Sequence, residues 1–320
     1  MTTIQARVIH AMTIPFTIQL ASDSRDAAYL ATCIDEITPQ IAAYLQHIDT
    51  TFSPFRADSQ VAAARRGDWS AMLATGKASS AQSGIRYAAS TSYSRHAAPA
   101  QSRYSQSESQ SESQSESQSE SQSVPQSEFA QIYALAEQAK QLTRGHFNPM
   151  HAGQYDPTGI VKGWAIERAH ERFLMPLIAS GQCDAAALGG GGDIQTAVAD
   201  TSDFVWRIGV QDPANPNATL RTITLRNGAV ATSGTSKRGE HITRNAHDLA
   251  QATIVDDHLA FADMWATAAI SAGERTFRDI VAQNPVAQAS LHAVLVRADG
   301  SITQFAPGKT APDAVPRTGA

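Results

Sequence analysis

Asp156-Pro-Thr-Gly-Ile-Val-Lys-Gly163 forms a predicted turn that leads directly into a helix. Asp156 and Pro157 open the turn, Gly159 allows close approach of the backbone, and Lys162 adds a cation. Apolar residues then recur at helical spacing. Because the first N–H groups of such a helix face whatever the turn holds, the segment suits a phosphate, although a turn of this kind is also common between elements without function.

Length and composition limit the possible classes of protein. The chain has 320 residues, is 42% hydrophobic and carries a formal net charge of −5, so it can bury a sizeable core and offers no basic field for nucleic acid. Cys33 and Cys183 lack the spacing of a zinc site or a disulfide framework. The first residues show no basic start with a long apolar run. We therefore expect a cytoplasmic protein with no membrane anchor and no nucleic-acid partner.

Apolar periodicity predicts both helices and short strands. Helices are expected over 25–47, where Pro39 predicts a kink or a new start, and over 129–142 and 261–272. Strands are expected in a first hairpin over 3–20, in short segments between 204 and 255, and in a final hairpin over 291–305. The mixture predicts an α+β fold with antiparallel sheet.

One stretch departs in composition from the rest of the chain. Residues 76–126 are dominated by Ser, Gln, Ala and Glu and end in a Ser-Glu-Ser-Gln repeat. Such side chains bury too little apolar area to offset the entropy of ordering, so we predict a disordered insertion. Residues 1–75 and 127–308 would then form a single domain, followed by a disordered tail over 309–320.

Polar or glycine-rich clusters stand at the ends of apolar runs in a fixed order. They are Asp49–Ser59, Gly145-His-Phe-Asn-Pro149, Asp156–Gly163, Leu188–Ile194, Thr232-Ser-Gly-Thr-Ser236 and Ala262–Thr267. Together they resemble the FAD:protein FMN transferase family, also called ApbE, over most of the chain. The resemblance implies a T-fold-like core with mixed or antiparallel sheets and an added α/β subdomain.

Asp263 and Thr267 lie four residues apart in a predicted helix and hence on one face. A carboxylate and a hydroxyl so placed can bind a hard cation through oxygen. In the alternative, Asp263 caps the helix or forms a salt bridge, and Thr267 bonds back along the helix. The resemblance implies that both side chains hold Mg²⁺ together with the backbone carbonyl of Gly159.

The resemblance also implies flavin or phosphate contacts from a larger set of residues. They are Met12, Phe55, His146, Phe147, Asn148, Asp156, Lys162, Thr232, Ser233, Gly234 and Ile242. Two positions depart from the family, which has Asp where Asn148 stands and Gly where Thr13 stands. Simple structural roles compete with three of the contacts: Phe55 as a core aromatic, Asn148 as a turn former and Lys162 as a solvated side chain.

His241 and Ile242 match the start of a further family motif, which makes His241 a candidate base for the acceptor hydroxyl. The intrinsic pKa of histidine suits proton transfer near neutrality. The sequence departs from the motif immediately afterwards, at residues 243–245. We therefore expect a loop conformation that differs from that of the family.

The resemblance implies transfer of FMN from FAD to a Thr or Ser hydroxyl of a client flavoprotein, with release of AMP. His241 and Asp263 would be the catalytic residues, and Mg²⁺ and FAD the cofactor and the donor. Two alternatives use the same residues. Water as the acceptor would make the protein an FAD diphosphatase, and loss of turnover would make it a non-catalytic flavin-binding protein.

Overall fold

Twelve strands and eight helices make up the computed structural model, which describes residues 1–73, 127–151, 153–234 and 245–306. The strands are β1 (Thr3–Ala11), β2 (Ile14–Ser22), β3 (Met150–His151), β4 (Gln154–Tyr155), β5 (Ala185–Gly190), β6 (Asp193–Val198), β7 (Trp206–Gln211), β8 (Thr219–Leu225), β9 (Gly228–Gly234), β10 (Leu249–Asp256), β11 (His292–Arg297) and β12 (Ile302–Phe305). Eight of them form one sheet in the order β1-β2-β5-β6-β9-β10-β11-β12. Every pairing between described strands is antiparallel, and the α+β prediction is confirmed.

The helices are α1 (Ala27–Phe52), α2 (Gln60–Arg65), α3 (Glu128–Leu142), α4 (Thr158–Ala169), α5 (Met175–Ala179), α6 (Leu259–Ala272), α7 (Glu274–Ala282) and α8 (Pro285–Ser290). A π-helical turn joins α4 to α5. The predicted new start at Pro39 is wrong, because α1 continues through this residue. Ile37 and Ile41 on either side are buried in the core, and this burial helps to offset the backbone hydrogen bond that proline cannot donate.

The two faces of the large sheet are covered differently. Helices α1, α4 and α6 pack on one face, where Ile18, Leu20 and Leu188 point into the main core. On the other face, Ala21 and Ala185 form a smaller apolar cluster with Trp206 of the β7–β8 hairpin and other residues. Strand alternation sends neighbouring side chains to opposite faces, which is why Leu20 and Ala21 belong to different clusters. The helical face carries the candidate site.

No helix in the described part of the chain is both long enough and apolar enough to cross a membrane. The predicted tail over 309–320 and the whole of the predicted insertion, together with His241 and Ile242, lie outside the described residues.

Two tight hairpins of the large sheet meet the same backbone requirement with different residues. A two-residue hairpin turn of type I′ places both central residues at positive φ, a region that favours glycine. The β5–β6 turn uses Gly191 and Gly192, with φ values of 64° and 99°. The β1–β2 turn uses Met12 and Thr13, with φ values of 49° and 64°. A β-branched residue is strained in this region, so the β1–β2 turn stores strain beside a predicted flavin contact.

Replacing Thr13 with glycine should therefore stabilise the protein. We expect Thr13→Gly to raise the free energy of unfolding by about 0.5–1 kcal/mol, because the relief of strain exceeds the entropy lost by glycine on folding. Urea unfolding measures the change. Thr222→Gly in β8, where the backbone is ordinary strand, is the matched control and should lower the same free energy. Equal effects of the two substitutions would contradict the strain.

The segments that flank the predicted insertion are held together in the structure. The Ser127 hydroxyl donates to the carbonyl of Ala71 at 2.7 Å, and the Trp69 ring packs edge-on against Tyr133 and Tyr155. Ser127 also caps α3. We propose that residues 76–126 are an insertion into one domain formed by 1–75 and 127–308, because the chain leaves and re-enters at neighbouring points.

Deleting residues 76–126 and joining the ends with a short Gly/Ser linker should leave the thermal unfolding midpoint nearly unchanged. The entropy of closing a loop depends only logarithmically on its length, and the flanking contacts survive the deletion. Calorimetry of the two chains is the measurement. A fall in midpoint of more than about 10 °C would correspond to several kcal/mol and would show that the segment supports the core.

Candidate active site

Helices α4 and α6 cross so closely at Gly163 that no other residue fits there. A Cβ atom added to Gly163 would lie 2.7 Å from the Leu259 carbonyl oxygen and 3.1 Å from the Cβ of Asp263. Both neighbours belong to α6, one of them through its backbone, so the helix itself would have to move. Because Gly163 has no side chain, α4 and α6 can approach closely enough for Lys162 to lie near Asp263.

Glu167 holds the start of α6 on α4. One of its carboxylate oxygens accepts from the Ala260 N–H at 3.0 Å, and the other pairs with His258 Nδ1 at 2.7 Å. Burial lowers the pKa of His258, but the hydrogen bond and the charge of Glu167 outweigh that effect and leave the pKa raised. Gly163 and Glu167 of α4 thus both lie against the first turns of α6.

Lys162 is a shared counter-ion for two buried carboxylates. Its ammonium forms an ion pair with Asp193, whose side chain is fully buried, and lies 3.5 Å from Asp263 Oδ1. The alternative in which Lys162 is merely solvated is wrong. The salt-bridge alternative for Asp263 is realised in this contact. Charges removed from water interact strongly, so the three groups form one electrostatic unit.

Asp193 was missed by the sequence analysis and connects the glycine-rich hairpin to the site. While its Oδ2 pairs with Lys162, its Oδ1 accepts from the Thr232 N–H at 3.1 Å. Next along β9, the Ser233 hydroxyl lies 3.3 Å from the hydroxyl of Thr267 on α6. The Thr232–Gly234 segment is thereby attached both to Asp193 and to the predicted metal ligand. In the sequence, Asp193 is marked by its position directly after four glycines, at the start of a strand.

Asp156 closes the turn before α4 and is itself held in place. One carboxylate oxygen accepts from the backbone N–H of Thr158 at 3.1 Å and from its hydroxyl at 2.6 Å, while the other accepts from Arg65 at 3.1 Å. The helix begins at Thr158, earlier than the apolar spacing indicated. Gly159 and Lys162 consequently lie in the first turns of a helix rather than in the preceding turn.

The Gly145–Pro149 segment lies beside this helix start. Phe147 is buried, and a Cβ added to Gly159 would lie 3.0 Å from its ring. Asn148 is exposed, and its side-chain oxygen accepts from the Met150 N–H at 3.0 Å, so the predicted turn role is present. His146 Nδ1 lies 3.4 Å from the Asn245 amide nitrogen, and burial lowers the pKa of this histidine. A neutral ring can accept that hydrogen bond.

Phe55 and Met12 lie outside the helices and strands, Phe55 after α1 and Met12 between β1 and β2. Phe55 is 94% exposed, so the alternative of a core aromatic is wrong and its ring is available to a ligand. Met12 sits in the β1–β2 turn and packs partly against the main core. Contact of either residue with a flavin stays a prediction.

The described residues fit a magnesium site built from few protein ligands. They contain no cluster of three or more His, Cys, Asp or Glu side chains that could hold a metal. Asp263 and Thr267 share a face of α6, and a helical carbonyl such as that of Gly159 points along α4 toward Gly163, beside Asp263. The donors are all oxygen, which Mg²⁺ prefers, and Mg²⁺ normally completes its shell with water and ligand phosphate.

A family model described as the ApbE family matches residues 12–291, and the chain belongs to this family. No curated protein matches it by sequence.

Several solved structures share the fold. An ApbE protein from Thermotoga maritima has a TM-score of 0.59 at 18% identity, with 94% of this chain and 96% of that chain covered. The flavinyl transferase ApbE from Pseudomonas stutzeri, in its apo form, has 0.58 at 14%, with 96% and 95% covered. The flavin transferase ApbE from Vibrio cholerae has 0.55 at 12%, with 96% and 98% covered. The fold is therefore that of ApbE proteins.

Adding a methyl group at the helix crossing should disrupt the site. We expect Gly163→Ala to lower the free energy of unfolding by about 1–3 kcal/mol, because α4 and α6 must separate. Gly209→Ala is the control, since its added Cβ would lie at an ordinary 3.4 Å from Thr219. Denaturant unfolding of both variants measures the difference. A Gly163→Ala protein as stable as the control would show that the helices tolerate a wider spacing.

Proposed function

We propose that the protein transfers FMN from FAD to a Thr or Ser hydroxyl of a client flavoprotein and releases AMP. Membership in the ApbE family supports flavin transfer, as do the names of the Vibrio cholerae and Pseudomonas stutzeri proteins that share the fold. The observation that carries the proposal is the meeting of Lys162 and Asp263 where α4 crosses α6, with Thr267 four residues further along α6 in contact with Ser233. The predicted cytoplasmic location stays a prediction.

The proposed reaction forms one bond and breaks one. The acceptor hydroxyl oxygen attacks the flavin-side phosphorus of the diphosphate, and the bond between that phosphorus and the bridging oxygen breaks. AMP leaves with the electron pair of this bond. The start of α4 and the Lys162 ammonium favour the negative diphosphate, while Asp193 holds that ammonium in place.

We assign the Mg²⁺ of the proposed reaction to the oxygen donors of the helix crossing. Asp263, Thr267 and the Gly159 carbonyl would hold the ion. When bound, Mg²⁺ supplies Lewis-acid stabilisation of charge on the diphosphate. The hydroxyl contact between Ser233 and Thr267 orients one of these donors from the neighbouring strand.

We propose flavin or phosphate contacts from a larger set of residues. They are Met12, Phe55, His146, Phe147, Asn148, Asp156, Thr232, Ser233, Gly234 and, outside the described residues, Ile242. Phe55 offers an exposed ring that can cover the flavin, whereas buried Phe147 would act mainly by supporting Gly159. We propose His241, which lies outside the described residues, as the base that takes the acceptor proton.

Incubation of the protein with FAD, Mg²⁺ and a candidate client flavoprotein tests the proposal. Mass spectrometry of the client and chromatography of the nucleotides are the two readouts. FMN bound covalently to the client together with free AMP is the expected result. Free FMN with unmodified client would identify a diphosphatase, and intact FAD that stays bound would identify a non-catalytic flavin-binding protein.

Asp263→Asn should weaken Mg²⁺ binding and lower FMN transfer by about 10²-fold or more, because the carboxylate serves the metal directly. FAD binding should fall much less, since the proposed flavin contacts remain. Titration calorimetry of Mg²⁺ into the FAD complex is the measurement. Asp279→Asn on the exposed face of α7 is the control. Unchanged Mg²⁺ affinity in Asp263→Asn would refute the metal assignment.

His241→Ala should slow transfer to a protein hydroxyl by about 10²- to 10⁴-fold, the usual contribution of a general base, without loss of FAD or Mg²⁺. Single-turnover rates across pH are the test. A working His241 gives a rate that falls on the acidic side of its pKa, and this limb should vanish in the variant. A wild-type rate in His241→Ala would exclude the residue as the base.

A further inference from the structure

One arginine joins three segments of the chain beside the candidate site. Arg65 is the last residue of α2, and its side chain donates three hydrogen bonds. Nε donates to the Tyr155 carbonyl at 2.7 Å, Nη1 to the Pro54 carbonyl at 3.1 Å and Nη2 to the Asp156 carboxylate at 3.1 Å. The planar guanidinium fork can serve three acceptors at once, which a lysine ammonium cannot do with the same geometry.

These contacts link the loop that carries Phe55 to the turn that starts α4. Pro54 immediately precedes Phe55, and Tyr155 and Asp156 lie three and two residues before the start of α4 at Thr158. Because the Phe55 ring is 94% exposed, the packed core does not fix its position, and the loop backbone must do so. Arg65 and Asp156 are themselves mostly shielded, with side-chain exposures of 20% and 23%, which strengthens their ion pair relative to one on the surface.

We propose that Arg65 is a positioning residue that holds the Phe55 loop against the Asp156 turn. The Phe55 ring and the start of α4 can then contact the same flavin nucleotide. The inference rests on the proposed function. Arg65 has a second effect in this arrangement, because its charge offsets the negative charge of Asp156 beside a site for a diphosphate. A site prepared in this way loses less entropy when the ligand binds.

The first test compares Arg65→Gln with Arg66→Gln by FAD titration and by the absorption spectrum of bound flavin. Arg66 is the matched control, because its side chain donates to the Ala57 carbonyl of the same loop. Arg65→Gln should raise the Kd for FAD about 10- to 100-fold and Arg66→Gln by less than about threefold. Phe55→Ala should shift the flavin spectrum in the same way as Arg65→Gln, and the double variant should add nothing further.

A flavin spectrum and an affinity that stay at wild type in Arg65→Gln would overturn the proposal, whereas wild-type protein that binds no FAD would refute the proposed function.

Amide hydrogen exchange tests the positioning role of Arg65 in the absence of any ligand. Arg65→Gln should speed exchange in both 53–59 and 154–158, while Arg66→Gln should speed it only in 53–59. Unchanged exchange in either segment of Arg65→Gln would also overturn the proposal. Should that variant not fold, Arg65→Lys should show the same pattern, because it keeps the charge without the fork.

Discussion

The close crossing of α4 and α6 at Gly163 is the contact on which the candidate site depends. It is a packing constraint, yet its consequence is electrostatic. If the helices separated, Lys162 on α4 would move away from Asp263 on α6, whose carboxylate is buried. A buried charge that loses its partner costs several kcal/mol. A wider spacing of the helices would therefore weaken the ion pair as well as the packing. The same contact thus stabilises the fold and the site.

The ion cluster itself is weak evidence for stability. Buried ion pairs recover little more than the cost of removing their charges from water, and apolar residues of similar size often stabilise a core equally well. Lys162 is moreover shared between two acids, which no packing requirement demands. The arrangement is easier to understand as preparation for a ligand that carries charge, because groups fixed in advance need no reorganisation when that ligand arrives.

The sequence predicted elements whose signals are local and missed partners that are distant. The first hairpin, α3 and α6 follow from apolar periodicity, and the expected bounds lie within a few residues of those observed. Pro39 was misread because proline disfavours a helix locally, while the burial of the surrounding isoleucines is decided by tertiary packing. The start of α4 was placed too late because its first turn has little apolar periodicity.

The same contrast between local signals and distant contacts applies to the residues of the candidate site. Asp263, Thr267 and Lys162 could be singled out from motifs; the structure brings Lys162 to Asp263 at the helix crossing, and their role in a site stays a prediction. The contacts of Asp193 and Arg65 could not be predicted, since each joins residues far apart in the chain; Arg65 and Asp156 are 91 positions apart. No periodicity encodes such a contact. It arises only when the sheet order and the helix packing are known.

The hydrogen bond between Ser127 and Ala71 also affects how the gene can change. Ser127 and Ala71 are adjacent in the fold, so in the proposed insertion the core would place almost no limit on what is encoded between them. Codons there can be duplicated, lost or replaced by those of a foreign module while the active centre is inherited intact. The chain thus has a site at which recombination can add new sequence without selection against the catalytic fold.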